Sequence, residues 1–133
     1  MSRKPFLVLW MAWIALLVVT SCTWGSRQFY DNGVSDQEYI SIARVHHDAQ
    51  VFLEQYPLAE TYVDRSGRLA VDFRVTSHPI TSTTQAWEGI RLRVFIDPKT
   101  KRPADTLVQC NDSIVKENVQ QYLEHYFTTQ TCP

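Results

Sequence analysis

Two alternating segments constrain the fold of this chain more than any other feature. In residues 69–76 and again in residues 89–97, apolar and polar side chains follow one another with a period of two. Because successive side chains of a strand point to opposite faces, each segment predicts a strand of an antiparallel sheet with one buried and one solvent-exposed face. Shorter strands are predicted over residues 60–64 and 104–110. The inward-facing residues are Leu69, Val71, Phe73, Val75, Ile90, Leu92, Val94 and Ile96.

Amphipathic helices are predicted on both sides of these strands along the chain. The first begins at the capping box Ser35-Asp36-Gln37-Glu38 and runs to about Gln55, shortly before Pro57. The second is expected from about Ile114 to Phe127. A helix, three or four antiparallel strands and a helix predict an α+β fold, with the helices packed on one face of the sheet.

The solvent-exposed face of the predicted sheet carries the best candidate binding site. The candidate binding residues are Arg74, Arg91, Arg93, Phe95 and Trp87. Guanidinium groups beside an aromatic ring can hold a carboxylate, a phosphate or an acidic partner. The alternative is a solvated face on which the arginines pair with Asp72 across strands. Trp87 could anchor a partner or cover the end of the core.

The first 22 residues have the layout of an export signal. Arg3 and Lys4 precede an uncharged run of 15 residues, Phe6–Thr20. A signal peptide has an apolar region of roughly 7–15 residues, whereas a spanning helix needs about 20. The run ends in Val19-Thr20-Ser21-Cys22, which resembles the lipobox of bacterial lipoproteins. The resemblance implies cleavage before Cys22, acylation of this cysteine and anchoring of an exported domain to the lipid bilayer. An uncleaved membrane helix is the alternative.

The lipobox divides the chain into three parts. We expect a signal peptide over residues 1–21, a tether over residues 22–34 and a single α+β domain over residues 35–133, because 133 residues leave room for one domain. Cleavage would leave 11 basic and 14 acidic residues, a formal charge of −3. A mildly acidic chain gives no electrostatic argument for binding nucleic acid.

Two cysteines remain if Cys22 is acylated. An even pair, Cys110 and Cys132, suits an oxidising compartment and predicts a disulfide bond. A straight helix filling most of the span between them would hold its ends about 20 Å apart, so the last residues must fold back. Two buried free thiols are the alternative.

Residues that could support catalysis are better explained without it. His46 and His47 are adjacent, so on a helix they point about 100° apart and do not form a metal pair; we expect His46 in the core and His47 in solvent. His78 lies in a hydroxyl-rich loop without a G-x-S-x-G motif. Cys110 is expected to form the disulfide rather than act as a nucleophile. We therefore predict no catalytic residue, no metal and no cofactor.

A set of packing and turn positions within residues 45–105 carries a second resemblance. The positions are Ala49, Phe52, Tyr56-Pro57-x-Ala59, Gly67, Val71-x-Phe73 and Val94-x-Ile96-Asp97-x-x-Thr100. The stretch is similar to PepSY-type modules of small exported bacterial proteins. The resemblance implies a non-enzymatic domain that binds an envelope protein or peptide. A structural subunit of a cell-envelope complex is the main alternative, and a small exported hydrolase is a further one.

Overall fold

The computed structural model of the chain describes residues 33–76 and 88–133. The predicted signal peptide, Cys22, His78 and Trp87 lie outside the described residues, so their roles stay predictions. No helix in the described part of the chain is long and apolar enough to cross a membrane. In chain order the elements are α1 (Asp36–Ala43), α2 (His47–Gln55), β1 (Glu60–Asp64), β2 (Ala70–Thr76), β3 (Gly89–Asp97), β4 (Arg102–Cys110), β5 (Ser113–Val115) and α3 (Val119–Thr129).

The described strands form one antiparallel sheet in the order β1-β2-β3-β4-β5. Each strand pairs with the next in sequence, so the sheet is a meander with β1 and β5 at its edges. Gly89 begins β3 with a positive φ of 146°, and a side chain there would clash with the carbonyl oxygen of Val75 on β2. Glycine is therefore required where β3 starts beside β2.

The sheet has five strands in the described residues, and the prediction of three or four was wrong. The extra strand, β5, occupies the segment where the C-terminal helix was expected to begin. Asn111 adopts a left-handed conformation with a φ of 52°, so the chain reverses directly after β4, and Ser113–Val115 pairs with the end of β4. The β-branched residues Ile114 and Val115 suit a strand better than a helix. The helix then starts five residues later than expected, at Val119.

The predicted helix over residues 35–55 is two helices. Ser35 caps α1 by accepting a hydrogen bond from the Glu38 backbone N–H, as the capping box predicts. The helix ends at Ala43, and His46 then takes an extended conformation in which its Nδ1 accepts from the Asp48 N–H at 3.2 Å. His46 is thus the half-buried cap of α2 rather than a residue within a continuous helix. A side chain that bonds the nearby backbone competes with the helical hydrogen bonds, which explains the break.

The helices and the sheet form two layers with one apolar core between them. Phe73 of β2 and Leu92 of β3 are fully buried on the inner face of the sheet. They cluster with Tyr39 of α1, Phe52 of α2 and Leu123 of α3. The predicted α+β class, with helices on one face of an antiparallel sheet, is therefore confirmed.

A pair of cysteines ties the C-terminal tail to the sheet. The sulfur atoms of Cys110 and Cys132 lie 2.04 Å apart, the distance of a disulfide bond. The helix between them is short enough for this contact because β5 takes the first part of the span. At its other end, Gln130 adopts a left-handed conformation that ends α3 and turns the tail back toward β4.

The capping role of His46 can be tested by substitution. We expect His46→Ala to lower the free energy of unfolding by about 0.5–2 kcal/mol, because the Asp48 N–H loses its acceptor. His46→Asn is the matched control, since its side-chain oxygen can accept the same bond. Urea unfolding followed by circular dichroism measures both variants. Equal midpoints for the two variants would contradict the capping role.

Candidate functional site

Three arginines surround one aspartate on the outer face of the sheet. In the register of β2 and β3, Asp72 lies directly opposite Arg93, and Arg74 lies directly opposite Arg91. The alternation predicted that these side chains share a face. It did not predict that Asp72, on that same outer face, has no exposed surface at all. The long guanidinium side chains cover it. We call Arg74, Arg91, Arg93 and Asp72 the arginine cluster.

Arg93 makes the closest contacts with the buried carboxylate. Its Nε donates to Asp72 Oδ1 at 2.6 Å and its Nη2 donates to Oδ2 at 2.8 Å, which is a two-pronged arrangement. The same Nη2 also donates to Asp64 Oδ2 at 3.0 Å, so Arg93 links β1, β2 and β3. Charge-assisted pairs of this geometry are among the strongest hydrogen bonds in proteins.

Arg74 and Arg91 hold the same carboxylate less completely. Nη2 of Arg74 donates to Asp72 Oδ2 at 2.9 Å, and Nη1 of Arg91 donates to that same oxygen at 3.3 Å. Arg91 Nη2 donates to Gln109 Oε1 on β4. The Nε atoms of Arg74 and Arg91 are buried and have no hydrogen-bond partner. These two guanidinium groups therefore retain donors that nothing in the described fold satisfies.

The two ends of the cluster differ electrostatically. Burial would raise the pKa of Asp72, but the hydrogen bonds from Arg93 and Arg74 outweigh it and hold this pKa below its usual value. The hydrogen bond to Asp72 raises the pKa of Arg93. Burial, together with the nearby charges of Arg93 and Arg74, lowers the pKa of Arg91. The charged form of Arg91 is thus less stabilised than that of Arg93, because Arg91 is buried without a full anionic partner.

An aromatic ring supports the exposed side of the cluster. The guanidinium of Arg74 lies 4.4 Å from the centre of the Tyr62 ring, and Tyr62 pairs with Asp72 in the register of β1 and β2. Such cation–π contacts contribute about 0.5–1 kcal/mol at exposed sites.

Sequence reasoning missed Tyr62 and Gln109 as site residues. The alternation of Glu60, Tyr62 and Asp64 was visible, but the register that places Tyr62 beneath Arg74 was not.

Phe95 lies farther from the arginine cluster than we expected. It is at the opposite end of β3 from Arg91, and the guanidinium of Arg68 lies 4.3 Å from its ring centre. Arg68 in turn pairs with Asp105 at 2.6 Å. The ring is thus covered by a neutralised arginine.

An open groove adjoins the cluster on the side of Arg74. It has a volume of about 360 Å³ and runs between the end of α2 and the β1–β2 pair. Its lining residues are Gln55, Tyr56, Pro57, Leu58, Ala59, Glu60, Arg74, Val75 and Thr76. Leu58 is 94% exposed, so a large apolar side chain faces solvent next to a cation.

The remaining sequence candidates have structural roles or lack partners. His46 caps α2, His47 is exposed, and Cys110 lies within bonding distance of Cys132. Within residues 33–76 and 88–133, no three His, Cys, Asp or Glu side chains are close enough together to hold a metal ion. The described residues present instead three guanidinium groups around one buried carboxylate.

The dependence of the fold on Asp72 gives a prediction about mutation. We expect Asp72→Asn to lower the free energy of unfolding by about 3–5 kcal/mol, because three guanidinium groups would surround an uncharged amide. Asp105→Asn is the matched control: its partner Arg68 is exposed, and such pairs contribute about 0–1 kcal/mol. Urea unfolding at neutral pH measures both. Equal losses in the two variants would contradict the role of Asp72.

The lowered pKa values also predict acid sensitivity. Asp72 and Asp64 bind fewer protons when folded than when unfolded, since the folded-state pKa of each is lowered. The stability that they contribute is therefore complete above the unfolded value of about 3.9 and is lost as pH falls through the folded value. Unfolding free energies measured from about pH 6 down to pH 2 should fall more steeply in the native protein than in Asp72→Asn.

No protein-family model, curated protein or solved structure matches this chain.

Proposed function

We propose that this protein is an exported, lipid-anchored bacterial lipoprotein. Its small non-catalytic domain binds an envelope protein or peptide through the outer face of the sheet. The observation that carries the proposal is the convergence of three guanidinium groups on the buried carboxylate of Asp72. The resemblance of residues 45–105 to PepSY-type modules supports the same non-enzymatic role.

The geometry of the outer face favours binding. The helices pack on the inner face, so the arginine cluster lies on the side of the sheet that they leave open. Asp72 restrains the arginine side chains before any partner arrives. Because immobilising long side chains opposes association, a restrained surface binds with a smaller entropic cost. Arg74, Arg91 and Arg93 are each still partly exposed, at 20–29% of their side-chain surface.

The tether limits where the partner can be. If Cys22 is acylated, 13 residues, 22–34, separate the lipid from the domain. A chain of this length spans at most about 45 Å when fully extended. The tether would therefore keep the domain within about 45 Å of the bilayer, which favours a membrane or envelope component as its partner. The disulfide-bonded pair Cys110 and Cys132 supports an oxidising compartment.

A structural subunit of an envelope complex is the second candidate function. One observation favours it: β1 is an edge strand whose Tyr62 is 48% exposed. An edge strand presents unpaired backbone groups that another chain can use. Size-exclusion chromatography of the detergent-solubilised protein separates the two functions. A protein that runs as a defined oligomer of its own chain favours the subunit.

The lipid anchor can be tested by mass spectrometry of the protein isolated from its native membranes. We expect a mature chain that begins at Cys22 and carries acyl groups, because the segment before it resembles a lipobox. Cys22→Ser should abolish the modification and leave the uncleaved chain. A free thiol at Cys22 in a soluble cytosolic fraction would refute the anchor and the location together.

The outer face can be tested by site-specific photo-crosslinking in intact cells. Glu60 is exposed and lies opposite Arg74 in the register of β1 and β2. A photoreactive phenylalanine analogue at this position should form an adduct with the envelope partner, without replacing a residue of the arginine cluster. Val45, 69% exposed on the helical layer, is the matched control position. Equal adducts from the two positions, or none from Glu60, would reject the outer face as the binding surface.

A further inference from the structure

The charges on the outer face are unevenly neutralised. Arg93 is bound by both oxygens of Asp72 and by Asp64, whereas Arg74 and Arg91 share the single oxygen Oδ2 of Asp72. The positive charge that remains on the cluster is therefore concentrated at the end formed by Arg74 and Arg91. A ligand that carries a negative charge would be stabilised at this end and not at Arg93.

Unused hydrogen-bond donors lie at the same end. Nη1 of Arg74 makes no hydrogen bond with any described residue. The Nε atoms of Arg74 and Arg91 are buried without an acceptor. Buried donors without partners are unfavourable, and few occur in native structures. A carboxylate has two oxygens, so it can accept an N–H bond from each of these arginines.

The groove beside Arg74 indicates that the ligand also has an apolar group. Leu58, Pro57 and Val75 line it, and Leu58 is almost fully exposed. A ligand that filled the groove would cover this surface with an apolar group near its carboxylate, because Arg74 lines the same groove. Inorganic anions have no such group, so they would leave the groove empty.

The position of strand β1 at the edge of the sheet favours an extended peptide as the ligand. The guanidinium of Arg74 lies over the Tyr62 ring and therefore over β1, the edge of the sheet. An extended peptide that adds to an edge strand gains main-chain hydrogen bonds and presents alternate side chains to each face. Glu60, which is exposed and lies opposite Arg74 in the register, would repel a second acidic residue nearby. A peptide with one acidic residue fits better than a run of acids.

We propose that Arg74 and Arg91 bind the carboxylate of a single acidic residue in an extended peptide segment, and that an apolar neighbour of this residue fills the groove at Leu58. The proposal rests on the proposed function, since it names the class of partner that the outer face accepts. In this proposal, Arg74 and Arg91 recognise the carboxylate of the peptide, whereas Arg93 stabilises the fold.

The first test titrates the full-length protein in detergent with two capped peptides, acetyl-Val-Glu-Leu-Thr-amide and its glutamine analogue. We expect the glutamate peptide to shift the Nε–Hε NMR signals of Arg74 and Arg91 and to leave the signal of Arg65, which is bound to Asp36, unchanged. The glutamine peptide should bind at least about tenfold more weakly, because the charge-assisted bonds are lost. Equal binding of the two peptides would overturn the proposal. So would equal shifts with inorganic phosphate at the same concentration.

The second test uses variants. Arg74→Gln should weaken the glutamate peptide at least about tenfold while the protein still folds, because the two bonds from Arg93 to Asp72 remain. Arg102→Gln, the same change at an exposed arginine of β4, should leave peptide binding unchanged. Unaltered affinity in Arg74→Gln would overturn the proposal.

The two proposals fail in different ways. If the Glu60 adduct forms but the glutamate peptide does not bind, the outer face is a docking surface without the carboxylate site. If the peptide binds and the adduct is absent, the carboxylate site stands and the envelope partner at this face is rejected.

Discussion

The burial of one carboxylate beneath three arginines is the constraint on which the rest of the structure depends. Removing Asp72 from water is expensive, and only paired cations and well-formed hydrogen bonds offset that expense. Arg93 provides most of the compensation and also reaches Asp64 on β1. The same ion pairs therefore hold three strands together. A slip of one residue in the pairing of β2 would turn Asp72 into the apolar core, so the cluster also fixes the register of the sheet.

The two faces of the sheet are covered in different ways. The inner face carries an unbroken apolar surface that the helices cover, and the break in the helix at His46 allows them to cover it. Because α1 and α2 are separate, Tyr39 of the first and Phe52 of the second both reach the core with no exposed surface. At the other end of the chain, the hairpin of β4 and β5 shortens the span left for α3, and the tail can return to Cys110. The outer face needs no helical cover because arginine side chains cover its buried acid.

Local patterns predicted what depends on local geometry. The alternation in residues 69–76 and 89–97 identified both faces of the central strands and brought Arg74, Arg91 and Arg93 together on one of them. The burial of Asp72 could not be predicted, since it depends on how three long side chains from two strands fold over it. The site roles of Tyr62 and Gln109 depend on register, which alternation alone does not give. Strand β5 was missed because three residues are too few to show a period, although the asparagine turn before it was a usable signal. His46 was missed as a cap because the helical periodicity of apolar residues continues through it.

The presence of three arginines around the single carboxylate of Asp72 favours a binding role in addition to a structural one. One two-pronged arginine neutralises the charge of a carboxylate, and Arg93 donates to both oxygens of Asp72. A second and a third guanidinium at the same oxygen add repulsion between cations that lie directly opposite one another across β2 and β3. They also leave two buried N–H groups without acceptors. An anion placed against Arg74 and Arg91 would offset this repulsion, which is the physical basis of the carboxylate site that we propose for these two arginines.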